Sequence, residues 1–349
     1  MAGTARGPIA FAQYAALRAA ALAVRAGDEA TALGLAGDIG RLIGQVPRNQ
    51  RRTVTHLAQA FPERSLADLE ALGRDSFAHL ARLVAVDTLS MTHRIRPEAW
   101  EERINTEDVP EGLDARLRED GPSILITGHC GVWEVLSHWL AMIDLPVHAL
   151  ARPIDNQYID RWLRREREAS GTQIIVKWGS GDRMQELLQE GARLGFVADQ
   201  NAGGKGMFVP FFGRLASTYK SIGFLARRFN APVVAGIALR DSDTQLKYRI
   251  RISDVIEPSD WSEAPDPDFY LAARIQRALE KMILMAPDQH MWVHQRWKSR
   301  PRFEREDRPF PERLLNKLRE LPWMDEDGVQ KIVAARGAPP APAGMARLD

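Results

Sequence analysis

The chain has 349 residues, 45% hydrophobic and 27% charged, enough for one large globular unit or two modest ones whose core needs no staple. Forty-seven basic against 46 acidic side chains leave a formal charge of +1, which excludes a dedicated nucleic-acid binder and an acidic disordered protein. A single cysteine, Cys130, rules out an internal disulfide framework and suits a reducing compartment, and no run of about 20 apolar residues offers a conventional transmembrane helix. Composition alone therefore reads as soluble, neutral and intracellular.

Residues 1–95 read as helices throughout. The stretch 9–24, IAFAQYAALRAAALAV, is an alanine-rich amphipathic helix with Tyr14, Leu17, Ala21 and Val24 at helical spacing. Arg18 interrupts the apolar centre that a signal peptide would need. Two placements stay open for this helix: against the protein's own core, or lying in a membrane interface with Arg6, Arg18 and Arg25 toward anionic headgroups. Residues 65–89 form a second clear helix, capped by Ser65, with Leu69, Leu72, Phe77, Leu80, Leu83 and Val84 on its apolar face. Pro62 separates it from the RRTVTHLAQAF stretch before it.

From about residue 107 strands and helices alternate. SILIT (123–127), VHALA (147–151), QIIV (173–176), GFVA (195–198) and PVVAGIALR (232–240) are short apolar strands. Helices are predicted between them at 131–143, 155–169, 183–190 and 219–229. Continuous apolar strands in β-α-β order predict an α/β fold, a mainly parallel sheet covered by helices on both faces, behind an N-terminal all-helical region. KYRIRISDVI (247–256) reads as a later, partly exposed strand, and 267–286 as a closing helix. The divisions are a helical region over 1–95, an α/β core over 96–301, and an extension over 302–349 that is partly disordered around APPAPAG (338–344).

Sites in such sheets lie beyond the carboxyl ends of the strands. The strand 123–127 ends in Gly128, His129, Cys130, Gly131, Val132, Trp133 and Glu134. His129 falls in the strand-to-helix turn between two glycines, and Glu134 about one helical turn further. A carboxylate beside a histidine fixes its tautomer and stabilises the imidazolium formed on proton uptake. No serine accompanies the pair, so a substrate hydroxyl is the expected nucleophile. The H-x4-E spacing alone also fits a helix-capping histidine with a surface glutamate. Cys130 as nucleophile is disfavoured, because adjacent turn residues seldom bring thiol and imidazole together. His290 and His294 have the spacing of a helical metal pair, but no glutamate completes H-E-x-x-H.

HCGVWE (129–134) resembles the H-x4-D/E block of the lipid A late acyltransferases, the lauroyl- and myristoyl-type bacterial branch that also includes mycobacterial phosphatidylinositol mannoside acyltransferases. ARPIDNQYIDRW (151–162) is similar to the family's R-P-x-D-N-P block, with Gln157 in place of the usual proline. ADQNAGGKGMFVPFFGRLAST (198–218) and MWVHQRWKSRP (291–301) are similar to its two later blocks, with Ser221 where a glycine is usual. RRTVTHLAQAFPE (51–63) resembles the N-terminal segment, so the resemblance spans roughly residues 40–301.

This resemblance implies transfer of a fatty acyl chain from a thioester to a hydroxyl of a membrane glycolipid or lysolipid. His129 would be the general base and Glu134 its partner. Arg152, Asn156, Asp199, Phe211, Phe212, Gly213 and Thr218 would belong to the substrate site. An arginine suits phosphate or oxyanion charge. Asp199 either pairs with Arg152 or orients substrate. The phenylalanine pair either walls an acyl channel or packs in the core. No cofactor is implied; acyl carrier protein or coenzyme A would carry the donor. The acceptor would be a membrane lipid, the partner surface an anionic membrane, and nucleic acid is not expected. The location implied is the cytoplasmic face of the bacterial inner membrane, peripherally bound. Arg161, Arg164, Arg165 and Arg167, with Arg227 and Arg228 and with Lys298 and Arg300, are basic groups suited to carrier protein, coenzyme A phosphates or headgroups. The competing readings are a thioesterase or lipid hydrolase using the same dyad, and a non-catalytic lipid-binding protein.

Overall fold

The computed structural model describes residues 5–119, 121–169, 171–176 and 179–337. Five helices come first: α1 (Pro8–Ala26), α2 (Glu29–Gln45), α3 (Pro47–Ala60), α4 (Leu66–Arg82) and α5 (Thr88–Arg94). Ser65 caps α4 by accepting from the Asp68 N–H at 3.2 Å. The helix expected through residue 89 is interrupted by a π-helical turn over Leu83–Asp87. That extra width rotates Val84 off the apolar face and leaves it exposed.

The α/β part follows: β1 (Ile104–Asn105), α6 (Leu113–Arg118), β2 (Ser123–Thr127), α7 (Trp133–Met142), β3 (His148–Ala151), α8 (Gln157–Ala169), β4 (Gln173–Val176), α9 (Gly181–Gln189) and β5 (Arg193–Val197). Then come β6 (Met207–Phe211), β7 (Arg214–Thr218), α10 (Lys220–Arg228), β8 (Val233–Arg240), β9 (Tyr248–Ile256), α11 (Pro258–Ser262) and α12 (Pro267–Met285). Seven strands form one sheet in the order β1-β9-β8-β2-β5-β3-β4, in which only the β8–β9 pairing is antiparallel. The sheet is thus mainly parallel with helices on both faces. β6 and β7 make a separate two-stranded hairpin.

The unbroken apolar strands follow from burial on both sides. Ile124 and Ile126 of β2 face one core, shared with α3, α10 and α12, while Leu125 faces another, shared with α2, α6 and α7. The N-terminal helices contribute to both: Val54, Leu57 and Leu69 to the first, Leu33 and Met91 to the second. Within α1, the side chains Tyr14, Leu17 and Ala21 pack with Trp162 and Leu163 of α8 and Leu89 of α5. The face expected to meet either core or membrane is therefore an internal contact. After Pro301 three short helices, α13 (Arg302–Arg305), α14 (Glu312–Arg319) and α15 (Glu326–Ala334), follow. Leu318, Leu321, Val329 and Ile332 close a third core with Val209, Leu215 and Phe269. The proline-rich segment 338–344 lies outside the described residues.

Candidate active site

β2 and β5 are neighbours in the middle of the sheet, and both end on the same rim. The turn after β2 carries His129; the segment after β5 carries Asp199. Gly131 has φ +58°, and a side chain there would collide with the Ala238 carbonyl oxygen, so this position requires glycine. The turn is pinned by backbone contacts: Gly131 N–H donates to Gln289 O at 2.9 Å, Val132 N–H to Ala238 O at 2.7 Å, and Met291 N–H to His129 O at 2.9 Å. Buried His79 adds its Nε2, 2.9 Å from Gly131 O.

Asp199 grips His129 twice. The His129 N–H donates to Asp199 Oδ2 at 2.9 Å, and His129 Nδ1 lies 2.7 Å from Oδ1. A carboxylate only accepts, so in the neutral ring Nδ1 carries the proton and Nε2 holds the lone pair. Burial alone would lower the imidazole's pKa, but the charge and hydrogen bond of Asp199 outweigh it and raise it above the ordinary value. The same pairing holds Asp199 far below the carboxylate range against its own burial. His290 stands behind, its Nδ1 3.8 Å from Asp199 Oδ2, and burial lowers it to about 4, so it stays neutral. The His129 side chain keeps 21% of its surface exposed, with Gln200 Nε2 3.4 Å from its Nε2 and Trp133 edge-on at 5.1 Å.

Glu134 is not the carboxylate on this ring. It sits in the first turn of α7, and both its oxygens are taken by Arg167 of α8, Nε donating to Oε2 at 3.0 Å and Nη2 to Oε1. A residue at N2 of a helix points back along the axis, and here that direction meets α8. The expected His129–Glu134 contact is thus replaced by His129–Asp199 and Glu134–Arg167, although all of His129, Glu134 and Arg167 line one cavity.

That cavity, ≈ 630 Å³, lies between the sheet and helices α6 and α7. Its floor is made of Leu125 and Thr127 of β2, Gly195 and Val197 of β5 and Gly236 of β8; Leu117, Leu136, Trp139 and Leu140 roof it. Glycines on two strands beside β2 leave room that larger side chains would fill. His129, Arg152 and Gln200 mark its polar end. Pairing with Arg152 was one of the two roles weighed for Asp199; Arg152 is exposed, and among the described residues no hydrogen bond or ion pair holds it.

The other expected substrate residues make contacts within the protein. Asn156 is buried; its Oδ1 accepts from the Tyr158 and Ile159 N–H groups at 3.1 and 3.4 Å, capping α8, while Nδ2 donates to Ala10 O at 2.8 Å and ties down α1. Phe212 (φ +49°) and Gly213 (φ +64°) are the two turn residues of the β6–β7 hairpin, a type I′ geometry. Phe211 is buried beneath Arg296, which stands 5.0 Å above its ring, and Phe212 packs against Phe61 and Trp292. Thr218 is buried and accepts from Arg296 Nη2 at 2.9 Å. None of these five lines the cavity. The motif therefore builds a hairpin, and the cavity lining resumes only beyond it, at Tyr219, Ser221 and Ile222.

Several charges singled out in the sequence are also engaged internally. Arg164 reaches Asp160 at 3.5 Å, Arg227 reaches Asp268 at 2.6 Å, and Arg300 reaches Glu304 at 2.6 Å. His290 and His294 are not on a helix; His294 Nε2 accepts from the Asn201 N–H at 3.1 Å. Cys130 is fully buried, and burial with the Asp199 charge pushes its thiol well above the usual range, which removes it as a nucleophile.

Residues 8–299 match the family described as bacterial lipid A biosynthesis acyltransferase. The chain belongs to this family. It is similar to the lipid A biosynthesis palmitoleoyltransferase of Escherichia coli strain K12, 26% identical over 75% of this chain and 85% of that one. It is also similar to the lauroyltransferase of the same strain, 29% identical over 58% and 63%, and to its myristoyltransferase, 23% identical over 75% and 79%. The family membership makes this chain an acyltransferase. Within the family's matched span, Asp199 and Gln200 are neighbours in sequence but 70 and 71 residues from His129. Arg167 was singled out for its charge alone, with nothing in its spacing to tie it to Glu134.

Proposed function

We propose that this acyltransferase moves a fatty acyl chain from an acyl thioester, on acyl carrier protein or coenzyme A, to a hydroxyl of a lipid A-like glycolipid. One observation carries the reading: an accessible imidazole nitrogen, oriented by a buried carboxylate, stands at the polar end of a chain-sized apolar cavity. The acyl chain lies under α7 with its thioester at the rim. His129 Nε2 accepts the hydroxyl proton as the oxygen attacks the thioester carbonyl. The C–S bond then breaks, and the imidazolium returns the proton to the departing thiolate. Asp199 holds the tautomer and balances the imidazolium charge. Glu134 keeps Arg167 in the cavity wall, and the uncommitted Arg152 supplies positive charge for a phosphate of donor or glycolipid. Donor and acceptor meet in one ternary complex, and no covalent enzyme intermediate is needed.

The reading places the protein peripherally at the cytoplasmic face of the inner membrane, where both substrates are reached. No helix among the described residues is long and apolar enough to cross a membrane. The test is turnover of acyl thioester with a lipid A precursor, followed by lipid mass spectrometry. His129→Ala is expected to lower transfer roughly 10²–10⁴-fold with an unchanged circular dichroism spectrum. Retained turnover removes His129 from the mechanism. Free fatty acid in place of acylated lipid would reassign the same site to a thioesterase.

A further inference from the structure

Helix α2 is built inside out. Its inward face is small: Gly37, Gly40 and Gly44 are buried, and side chains at Gly37 and Gly40 would collide with Arg82 of α4 and the α4 backbone. Its outward face is large and apolar. Leu35 is 61% exposed, Leu42 65%, and Ile39, Ile43 and Val46 are exposed beside them. At 3.6 residues per turn these five positions fall within an arc of about 100°. The exposed apolar residues of α1, Ile9, Phe11 and Leu22, do not share such an arc. Val84, on the π-turn that α2 packs against, is exposed as well. A stripe of this size on a glycine-backed helix is unfavourable in water unless something covers it.

The end of the stripe carries a second feature. Val46 caps α2, and Pro47 starts α3 at once. Val46, Pro47, Arg48, Arg51 and Arg52 then line one open notch. No ion pair holds Arg48 or Arg52 among the described residues. We infer that α2 and the start of α3 form the membrane-docking surface: the α2 stripe enters the bilayer interface, and the arginine notch takes the phosphates of anionic headgroups. This deepens the reading above, in which the acceptor is a membrane lipid, and its test requires no turnover.

The full-length protein is sedimented with vesicles of phosphatidylcholine alone and of phosphatidylcholine mixed with phosphatidylglycerol. Binding to the anionic vesicles is expected, and weaker binding to the neutral ones. The double variant Ile39→Asp/Leu42→Asp is expected to lose affinity roughly tenfold or more, and Arg48→Glu/Arg52→Glu to lose the preference for anionic vesicles. Both pairs are exposed or half-buried surface positions, and unchanged thermal midpoints and unchanged turnover on detergent-dispersed substrate check that each variant is folded. No vesicle binding by the wild type, or equal binding by the apolar variant, overturns the inference. So does a wild-type dimer that Ile39→Asp/Leu42→Asp converts to monomer, since a second copy would then cover the stripe. Failure of acyl transfer with intact vesicle binding would instead count against the proposed reaction alone.

Discussion

The charge on Asp199 sets how strong a base His129 is. Burial lowers the imidazole's pKa and Asp199 more than restores it, so the neutral ring is a stronger base than an isolated histidine. Transfer should then fall off on the acid side with an apparent pKa above the ordinary histidine value of 6.5. In Asp199→Asn the raising charge is gone and the lowering influence of burial prevails. The acid limb of the pH–rate profile therefore moves to lower pH while the rate drops by roughly 10²–10⁴-fold, because the amide oxygen stays on the His129 N–H and its NH2 faces Nδ1, which favours the tautomer with the proton on Nε2. Glu134→Gln should leave the limb where it is and act on KM through Arg167. An acid limb that moves in Glu134→Gln and stays in Asp199→Asn would restore the His129–Glu134 pairing. The spacing of His129 and Glu134 was visible in the sequence because the two are five residues apart. Asp199 becomes the partner only because β2 and β5 pair in register, and a pairing across 70 residues leaves no local pattern.

Among the elements, those whose signal is local matched closely. The strands at 123–127 and 173–176 occupy the expected residues, since short apolar runs between turn residues have few other ways to be buried. The β6–β7 hairpin was hidden, because its F-F-G turn reads equally as an acyl-channel wall or as core packing, and neither reading marks a turn. Its turn is held by Glu280 of α12, whose Oε1 accepts from the Phe212 N–H at 2.7 Å. Burial raises that carboxyl to about 7, against lowering by the Phe212 N–H, Arg277 and Arg296. With the folded pKa above the unfolded value of 4.5, the unfolded chain releases its proton first, so stability declines as pH rises between the two and is flat beyond. Glu280→Gln keeps the acceptor and removes the titration. Its thermal midpoint should exceed the wild type's at alkaline pH, by up to about 3 kcal/mol in stability, with the gap closing in mild acid. Equal midpoints at alkaline pH would mean that Glu280 ionises freely in the fold. The turn after β2 is less tolerant: Gly131→Ala must adopt φ +58° and displace the Ala238 carbonyl. It should lose roughly 2–4 kcal/mol in chemical denaturation.

For the molecule as a whole, two cores lie on opposite faces of one sheet, and on the reading proposed above the acyl chain belongs in the cavity beneath α7. The first core is filled by α3, α10 and α12, while the second contains the cavity beneath α7. The room comes from the sheet itself, since Gly195 and Gly236 flank β2 on that face. A Cβ at Gly236 would meet Ile252 Cδ1 at 3.1 Å, a flexible tip that can give way, and the Arg251 carbonyl oxygen at 3.3 Å, whereas one at Gly195 would press on Val147 Cγ1 at 2.8 Å. Gly236→Val is therefore the substitution that fills space with the least disturbance. Offered a mixture of donors from lauroyl to palmitoyl, this variant should transfer a shorter chain than the wild type. Each excluded methylene costs about 0.8 kcal/mol, roughly fourfold in selectivity. A matching substitution at Phe212, which does not line the cavity, should leave chain selection unchanged even if stability falls. If Phe212→Ala shifts the product chain and Gly236→Val does not, the acyl group lies against the hairpin and the cavity beneath α7 serves another ligand.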